Sequence, residues 1–149
     1  MEFTRTIPLP DPAATDACAR SLAPHLRPGD VIALSGDLGA GKTAFARALI
    51  QGFLGPDAAV PSPTFTLVQT YETEAGPLWH CDLYRLEDPD EIWELGLEEA
   101  FQSAITLIEW PERMGNHLPE KALRLAFAYD GDGRSLTRSG GPAHLTDWP

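Results

Sequence analysis

A chain of 149 residues, 43% hydrophobic and 22% charged, is long enough for one domain with an adequate core. Its net charge of −11 and lack of any basic run argue against an electrostatic grip on nucleic acid by the chain itself. The longest apolar segments fall far short of a membrane span, and the opening Met1-Glu2-Phe3-Thr4-Arg5 lacks the layout of a secretory signal.

Phe3 to Ile7 predicts a short edge strand, stopped by Pro8 and Pro10. Asp11 and Pro12 open a helix, with Asp11 as N-cap and Pro12 at the first helical position. Ala14, Ala17, Cys18, Leu22 and Leu26 keep helical spacing, and Pro24 ends or kinks the helix near Ala23. Cys18 and Cys81 have neither metal nor redox spacing and read as small buried hydrophobes in a reducing cytoplasm.

Val31-Ile32-Ala33-Leu34 is an apolar strand that runs into Gly36-Asp37-Leu38-Gly39-Ala40-Gly41-Lys42-Thr43. A helix follows from about Lys42 to Leu54, with Phe45, Ala46, Leu49, Ile50 and Phe53 as its core face and Gly55-Pro56 as its stop. Strand, G-x-x-x-x-G-K-T loop and helix in this order form the Walker A phosphate cradle. Glycines let successive amides turn inward around a phosphate, and the helix points its positive end at the anion. Asp37, Leu38, Gly39, Ala40, Gly41, Lys42 and Thr43 are therefore the expected nucleotide-binding stretch. Lys42, one of two lysines in the chain, would reach the β- and γ-phosphates, and the Thr43 hydroxyl would bind Mg²⁺.

Pro61 and Pro63 hold the next loop extended, and Thr64 then stands as a hydroxyl in a stiffened segment. That segment is either a switch sensing the γ-phosphate and Mg²⁺ or a rigid lead-in to a strand. Phe65 to Tyr71 and Leu78 to Leu83 read as hairpin strands, which makes the sheet mixed rather than purely parallel. Asp82 closes the second strand where a carboxylate can reach Mg²⁺ or its water shell. His80 reads as a structural hydrogen-bonding residue, and Arg85 as a partner of Glu87 or Asp88.

Asp88-Pro89-Asp90-Glu91 starts another helix, broken at Gly96, whose acidic positions form either a solvated face or a partner surface. Ala104 to Glu109 is an apolar strand delivering a carboxylate, the Walker B layout, so Glu109 is the expected partner of Thr43 on Mg²⁺. Trp110 either stacks near the nucleotide or packs in the core. Ala122 to Tyr129 alternates as a half-buried strand, and Arg134 to Ser139 returns as an edge strand. Arg134 points either to a nucleotide or to solvent. Residues 1–139 thus make one α/β domain, P-loop NTPase-like, with a mixed parallel and antiparallel central sheet flanked by helices, and residues 140–149 a loosely held tail.

The Walker A stretch, Ser62-Pro63-Thr64-Phe65-Thr66-Leu67-Val68, His80-Cys81-Asp82-Leu83-Tyr84-Arg85-Leu86 and Ile108-Glu109-Trp110-Pro111 occur in this order, and together they resemble the TsaE (YjeE) family of bacterial P-loop ATPases. The resemblance runs from about residue 5 to residue 135, with Cys81 standing where the family commonly has an aromatic. It implies ATP or ADP and Mg²⁺ as cofactors, Thr43 and Glu109 as metal ligands, and catalytic roles for Lys42, Asp82 and Glu109. Ser62 to Thr64 and Asp82 would be switch-like, with residues near Pro12 and Arg134 finishing the ends of the nucleotide pocket. It further implies a cytoplasmic ATPase needed for threonylcarbamoyladenosine (t6A) in tRNA. Such a protein works with TsaB and TsaD, meets tRNA only through them, and is slow alone and faster with its partners. Two other readings share the Walker A loop: a small-molecule kinase, and a nucleotide-gated interaction module with incidental hydrolysis. A GTPase is disfavoured because no N-K-x-D motif occurs.

Overall fold

The computed structural model describes residues 4–149. Phe3, the expected start of the first strand, lies outside the described residues. The described strands are β1 (Thr4–Leu9), β2 (Val31–Ser35), β3 (Val68–Thr73), β4 (Gly76–Asp82), β5 (Ile105–Glu109), β6 (Leu123–Asp130) and β7 (Gly133–Gly140). The helices are α1 (Pro12–Leu22), α2 (Lys42–Leu54) and α3 (Leu97–Ser103). Among these residues one sheet forms in the order β1-β7-β6-β2-β5-β4-β3.

The apolar run of β2 dictates its place. Val31 to Leu34 are all buried, so both faces of the strand are covered, as parallel strands between helical layers require. β5 and β6 flank it in parallel, and β4 lies parallel to β5. β3–β4, β6–β7 and β1–β7 are antiparallel, so the sheet is mixed as expected. Side chains alternate across it. Ile32, Leu34, Ile105 and Leu107 pack on the α1–α2 side with Phe45, Leu49 and Ile50. Val31, Cys81 and Ile108 pack on the α3 side with Ile92, Leu97 and Met114.

Three expectations are corrected. β1 does not stop at Pro8 but pairs through it to Leu9; it is an edge strand, where the missing proline N–H costs little. β7 is interior, because β1 covers its far side. β3 begins at Val68 rather than Phe65, because the Leu67 amide bonds back to the Pro63 carbonyl at 2.7 Å and Leu67 turns at φ 67°.

The last ten residues also differ from the loose tail expected of them. Leu145 and Trp148 are buried, and the Trp148 indole N–H donates to Ser21 Oγ at 2.9 Å. The buried Arg138 guanidinium donates to the carbonyls of Leu145 (2.6 Å), Trp148 (2.7 Å) and Gly140 (3.3 Å).

Candidate nucleotide and metal site

Parallel strands gather their carboxyl ends at one edge of a sheet, the usual place for ligands in open α/β folds. Here β2 ends in the glycine loop, β4 in Asp82 and β5 in Glu109. In the β4–β5 pairing Asp82 stands opposite Glu109, and Leu107 opposite His80.

The loop between β2 and α2 is built by close backbone approach. Gly36 sits at φ 135°, and a Cβ there would lie 2.4 Å from the Phe127 carbonyl oxygen, so only glycine fits. The loop's outward carbonyls are braced by the other half of the sheet. Tyr129 OH donates to Leu38 O at 2.8 Å, and Arg134 donates through Nε and Nη2 to Gly39 O, each at 3.3 Å. The Arg134 guanidinium also lies 4.3 Å from the Tyr129 ring centre. A peptide plane carries its N–H opposite its C=O, so tying these carbonyls outward fixes where the following amides aim.

At the start of α2 the two expected ligands meet. The Thr43 hydroxyl donates to Glu109 Oε1 at 2.6 Å. Glu109 Oε2 is held by His80 Nε2 at 2.7 Å, and both residues are 1% exposed. The imidazole proton in this bond is on Nε2, since the carboxylate accepts. His80 Nδ1 is buried with no partner among the described residues.

Lys42 turns back over the loop, donating to Gly36 O and lying 3.5 Å from Asp37 O, with its ammonium 3.5 Å above the Trp110 ring centre. Burial lowers its pKa from the ordinary lysine value, and Glu109, Glu112, Asp82 and Asp37 oppose that shift. Trp110 adopts the left-handed region at φ 60°, which costs of order 1 kcal/mol for a residue with a Cβ. That turn sets its ring against Tyr84, centroids 4.9 Å apart, as one wall of the site. Asp82 accepts from Thr64 Oγ1 at 3.3 Å and from the Tyr84 amide at 3.0 Å, and Thr64 is linked to Ser62 at 2.7 Å.

A cavity of about 400 Å³ collects Leu38, Gly39, Gly41, Lys42, Thr43, Asp82, Glu109 and Trp110, with Thr64 and Tyr84. Pro12 and Arg134 are not part of it. They line a second hollow of about 310 Å³ with Asp11 and Asp132, across the loop, which shares Gly39, Gly41 and Ala44 with the first. Ala40, within the loop, is buried, and Asp37 lines neither hollow. His80 was read as a structural hydrogen-bonding residue and is one; its partner is Glu109, reached from a position two residues before Asp82 on the same face of one strand. Sequence reasoning missed the role of Tyr129. Tyr129 had no local signal, because its place depends on β6 pairing beside β2.

The donor set suits Mg²⁺. Two ligand oxygens at adjacent corners of an octahedron with bonds of about 2.0–2.1 Å stand about 2.9 Å apart. The Thr43 and Glu109 oxygens need to part only slightly from 2.6 Å to reach that spacing.

Residues 9–137 match the family described as "Threonylcarbamoyl adenosine biosynthesis protein TsaE". The chain belongs to the TsaE family. A TsaE-named tRNA threonylcarbamoyladenosine biosynthesis protein of Rickettsia bellii is 45% identical over 118 residues, 79% of this chain and 82% of that one. The Bacillus subtilis protein of the same name is 42% identical over 123 residues, 82% of this chain and 76% of the other. The match to a Rickettsia felis TsaE, 51% identical over 98 residues, spans 57% of that relative's length. Among solved structures, the crystal structure of Bacillus subtilis YdiB superposes with a TM-score of 0.72 at 30% identity, covering 95% of this chain and 88% of that one. The TsaE family thus brings a role in t6A biosynthesis to the same chain whose sheet carries the expected mixed pairing.

Proposed function

We propose that this chain is the Mg²⁺-dependent ATP-binding and ATP-hydrolysing component of t6A formation, acting with TsaB and TsaD and meeting tRNA only through them. The observation that carries the proposal is the meeting of Thr43 and Glu109, 66 residues apart in sequence, at the mouth of the glycine loop. The net charge of −11 supports an acidic protein that docks on partners which themselves hold the tRNA. No described helix is long and apolar enough to cross a membrane, and we place the activity in the cytoplasm.

The work of the residues follows from their places. Loop amides, braced by Tyr129 and Arg134, bind the β- and γ-phosphates, and Lys42 swings from the Gly36 carbonyl to meet them as a point charge. Thr43 and Glu109 would hold Mg²⁺, which when bound neutralises charge on the phosphoryl oxygens. Asp82, tethered to Thr64, orients the attacking water and couples its position to the loop that carries Ser62. Trp110 and Tyr84 shield the phosphates from bulk water. Pro12 and Arg134 border the neighbouring hollow, which receives the base and ribose.

Among the described residues, none that lines the first cavity is an arginine, and a supplied arginine or ordered loop is worth about 10³–10⁵ in rate for P-loop enzymes. Hydrolysis is therefore slow alone and fast with partners. Turnover of ATP by the purified chain, with and without TsaB–TsaD, tests this, alongside pull-downs in ATP, ADP and no nucleotide. Equal rates alone and in the complex would contradict partner stimulation. Phosphorylation of an added small-molecule acceptor would favour a kinase. A Glu109→Ala protein that still binds ATP, assembles and supports t6A formation would favour a nucleotide-gated module.

A further inference from the structure

We infer that His80 is the positioning residue for the Glu109 carboxylate, an inference that rests on the Mg²⁺–nucleotide reading of the site. The terminal torsion of a glutamate is broad, so nothing in its covalent structure sets the plane of its two oxygens. At Glu109 that plane is set from outside. Oε2 is tied to His80 Nε2 at 2.7 Å, and this leaves Oε1 facing the Thr43 hydroxyl at 2.6 Å. The tie is rooted on β4, one strand away, and is buried on both sides. His80 and Asp82, two residues apart, project from the same face of β4, so one strand orients the metal-binding carboxylate and also supplies the carboxylate beside it.

A packing role alone does not account for this histidine. Leu78 and Leu107 around it are apolar and fully buried, and an aliphatic side chain would fill such a place without desolvating a ring nitrogen. Instead the imidazole has one partnered nitrogen, on Glu109, and leaves Nδ1 without a partner among the described residues. A buried polar group kept half-satisfied, whose single bond goes to the metal-binding carboxylate, is accounted for by the direction it gives that carboxylate.

The test is the Mg²⁺ concentration that half-saturates the tightening of ADP binding, measured for the full chain and for His80→Gln, His80→Asn and His80→Leu. The Gln amide nitrogen reaches about as far as imidazole Nε2, whereas the Asn nitrogen falls short. His80→Gln is expected to stay within about threefold of the parent, and His80→Asn and His80→Leu to need about 10–100-fold more Mg²⁺. ADP affinity in EDTA is expected to be unchanged in all three. Folded Asn and Leu variants with the parent's Mg²⁺ requirement would overturn the inference, as would a Gln variant that loses as much as Leu. If the parent itself shows no Mg²⁺ requirement, the site reading fails and the inference falls with it. Ring ¹⁵N spectra of the unsubstituted chain decide the matter should the variants not fold. The proton is expected on Nε2, with its resonance moved by ADP with Mg²⁺ but not by ADP in EDTA; a ring with no proton on Nε2 would overturn the assignment.

Discussion

At the scale of single residues, Asp82 and Glu109 are two carboxylates at neighbouring strand ends with different surroundings. Glu109 is buried between Thr43 and His80, while Asp82 is held by Thr64 and the Tyr84 amide at the edge of the cavity. Asp82→Asn keeps the size but loses the charge and one of the two acceptor contacts, since Thr64 bonds Oδ2 and the Tyr84 amide bonds Oδ1. It is expected to leave ADP binding within about threefold and to cut hydrolysis about 100-fold, the size of effect seen when one transition-state contact is removed. Equal losses in binding and hydrolysis would place Asp82 in nucleotide binding instead. The cysteines make a second prediction. Burial pushes the Cys18 thiol up to about 11 and the Cys81 thiol higher still. Both ionise in the unfolded chain first, at about 8.5, so their contribution to stability is present below that pH and is lost as pH rises toward the folded values. Urea midpoints are expected to fall between about pH 8 and pH 10.5, and to fall less in Cys18→Ser. A midpoint indifferent to pH in that window would contradict this.

At the scale of elements, what was legible in sequence is what local chemistry dictates. Asp11 caps α1 through the Ala14 amide at 2.8 Å with Pro12 at the first turn, and the glycine loop leads into α2 over Lys42–Leu54. Asp88 and Glu91 form the expected capping box, although the turn it opens is a 3₁₀ stretch, Pro89–Trp93, rather than an α-helix. Cavity residues that follow a motif, Lys42, Thr43 and Glu109, were legible for the same reason. The Arg134 bond to Gly39 O and the Tyr129 bond to Leu38 O were not, because they require β6 and β7 to lie beside the loop, and pairing of distant strands leaves no local mark. Arg85, read as a partner of Glu87 or Asp88, has its guanidinium 5.5 Å from the Phe65 ring centre. The loop's fit to the sheet can be tested at Gly36. Gly36→Ala combines a left-handed φ with a Cβ 2.4 Å from Phe127 O, and is expected to cost about 3 kcal/mol. That corresponds to a fall of about 6–12 °C in Tm for a domain of this size. A Tm within about 2 °C of the parent would show that the loop does not need this approach.

At the scale of the whole molecule, the C-terminal segment packs against the body of the domain although its composition does not mark it as structural. Residues 140–149 are rich in Gly, Pro and polar side chains, which reads as a loose tail. Their hold comes from one aromatic and one buried cation: Trp148 under α1, and Arg138 gathering three carbonyls of the segment. His144 adds a bond to Asp30 at 2.8 Å, tying the segment to the turn before β2. Trp148→Ala is expected to cost about 3–5 kcal/mol and about 10 °C in Tm. Its ATP turnover at low temperature should be unchanged, since the tail lies away from the site. A neutral effect on thermal unfolding would return the segment to the status of a tail.

The most direct test is a crystal structure with a non-hydrolysable ATP analogue and Mg²⁺. The account predicts phosphates within hydrogen-bond distance of the amides leading into Lys42 and Thr43, the Lys42 ammonium against the terminal phosphates, and the metal between Thr43 and Glu109. A nucleotide bound elsewhere, or a metal remote from both of those residues, would contradict it.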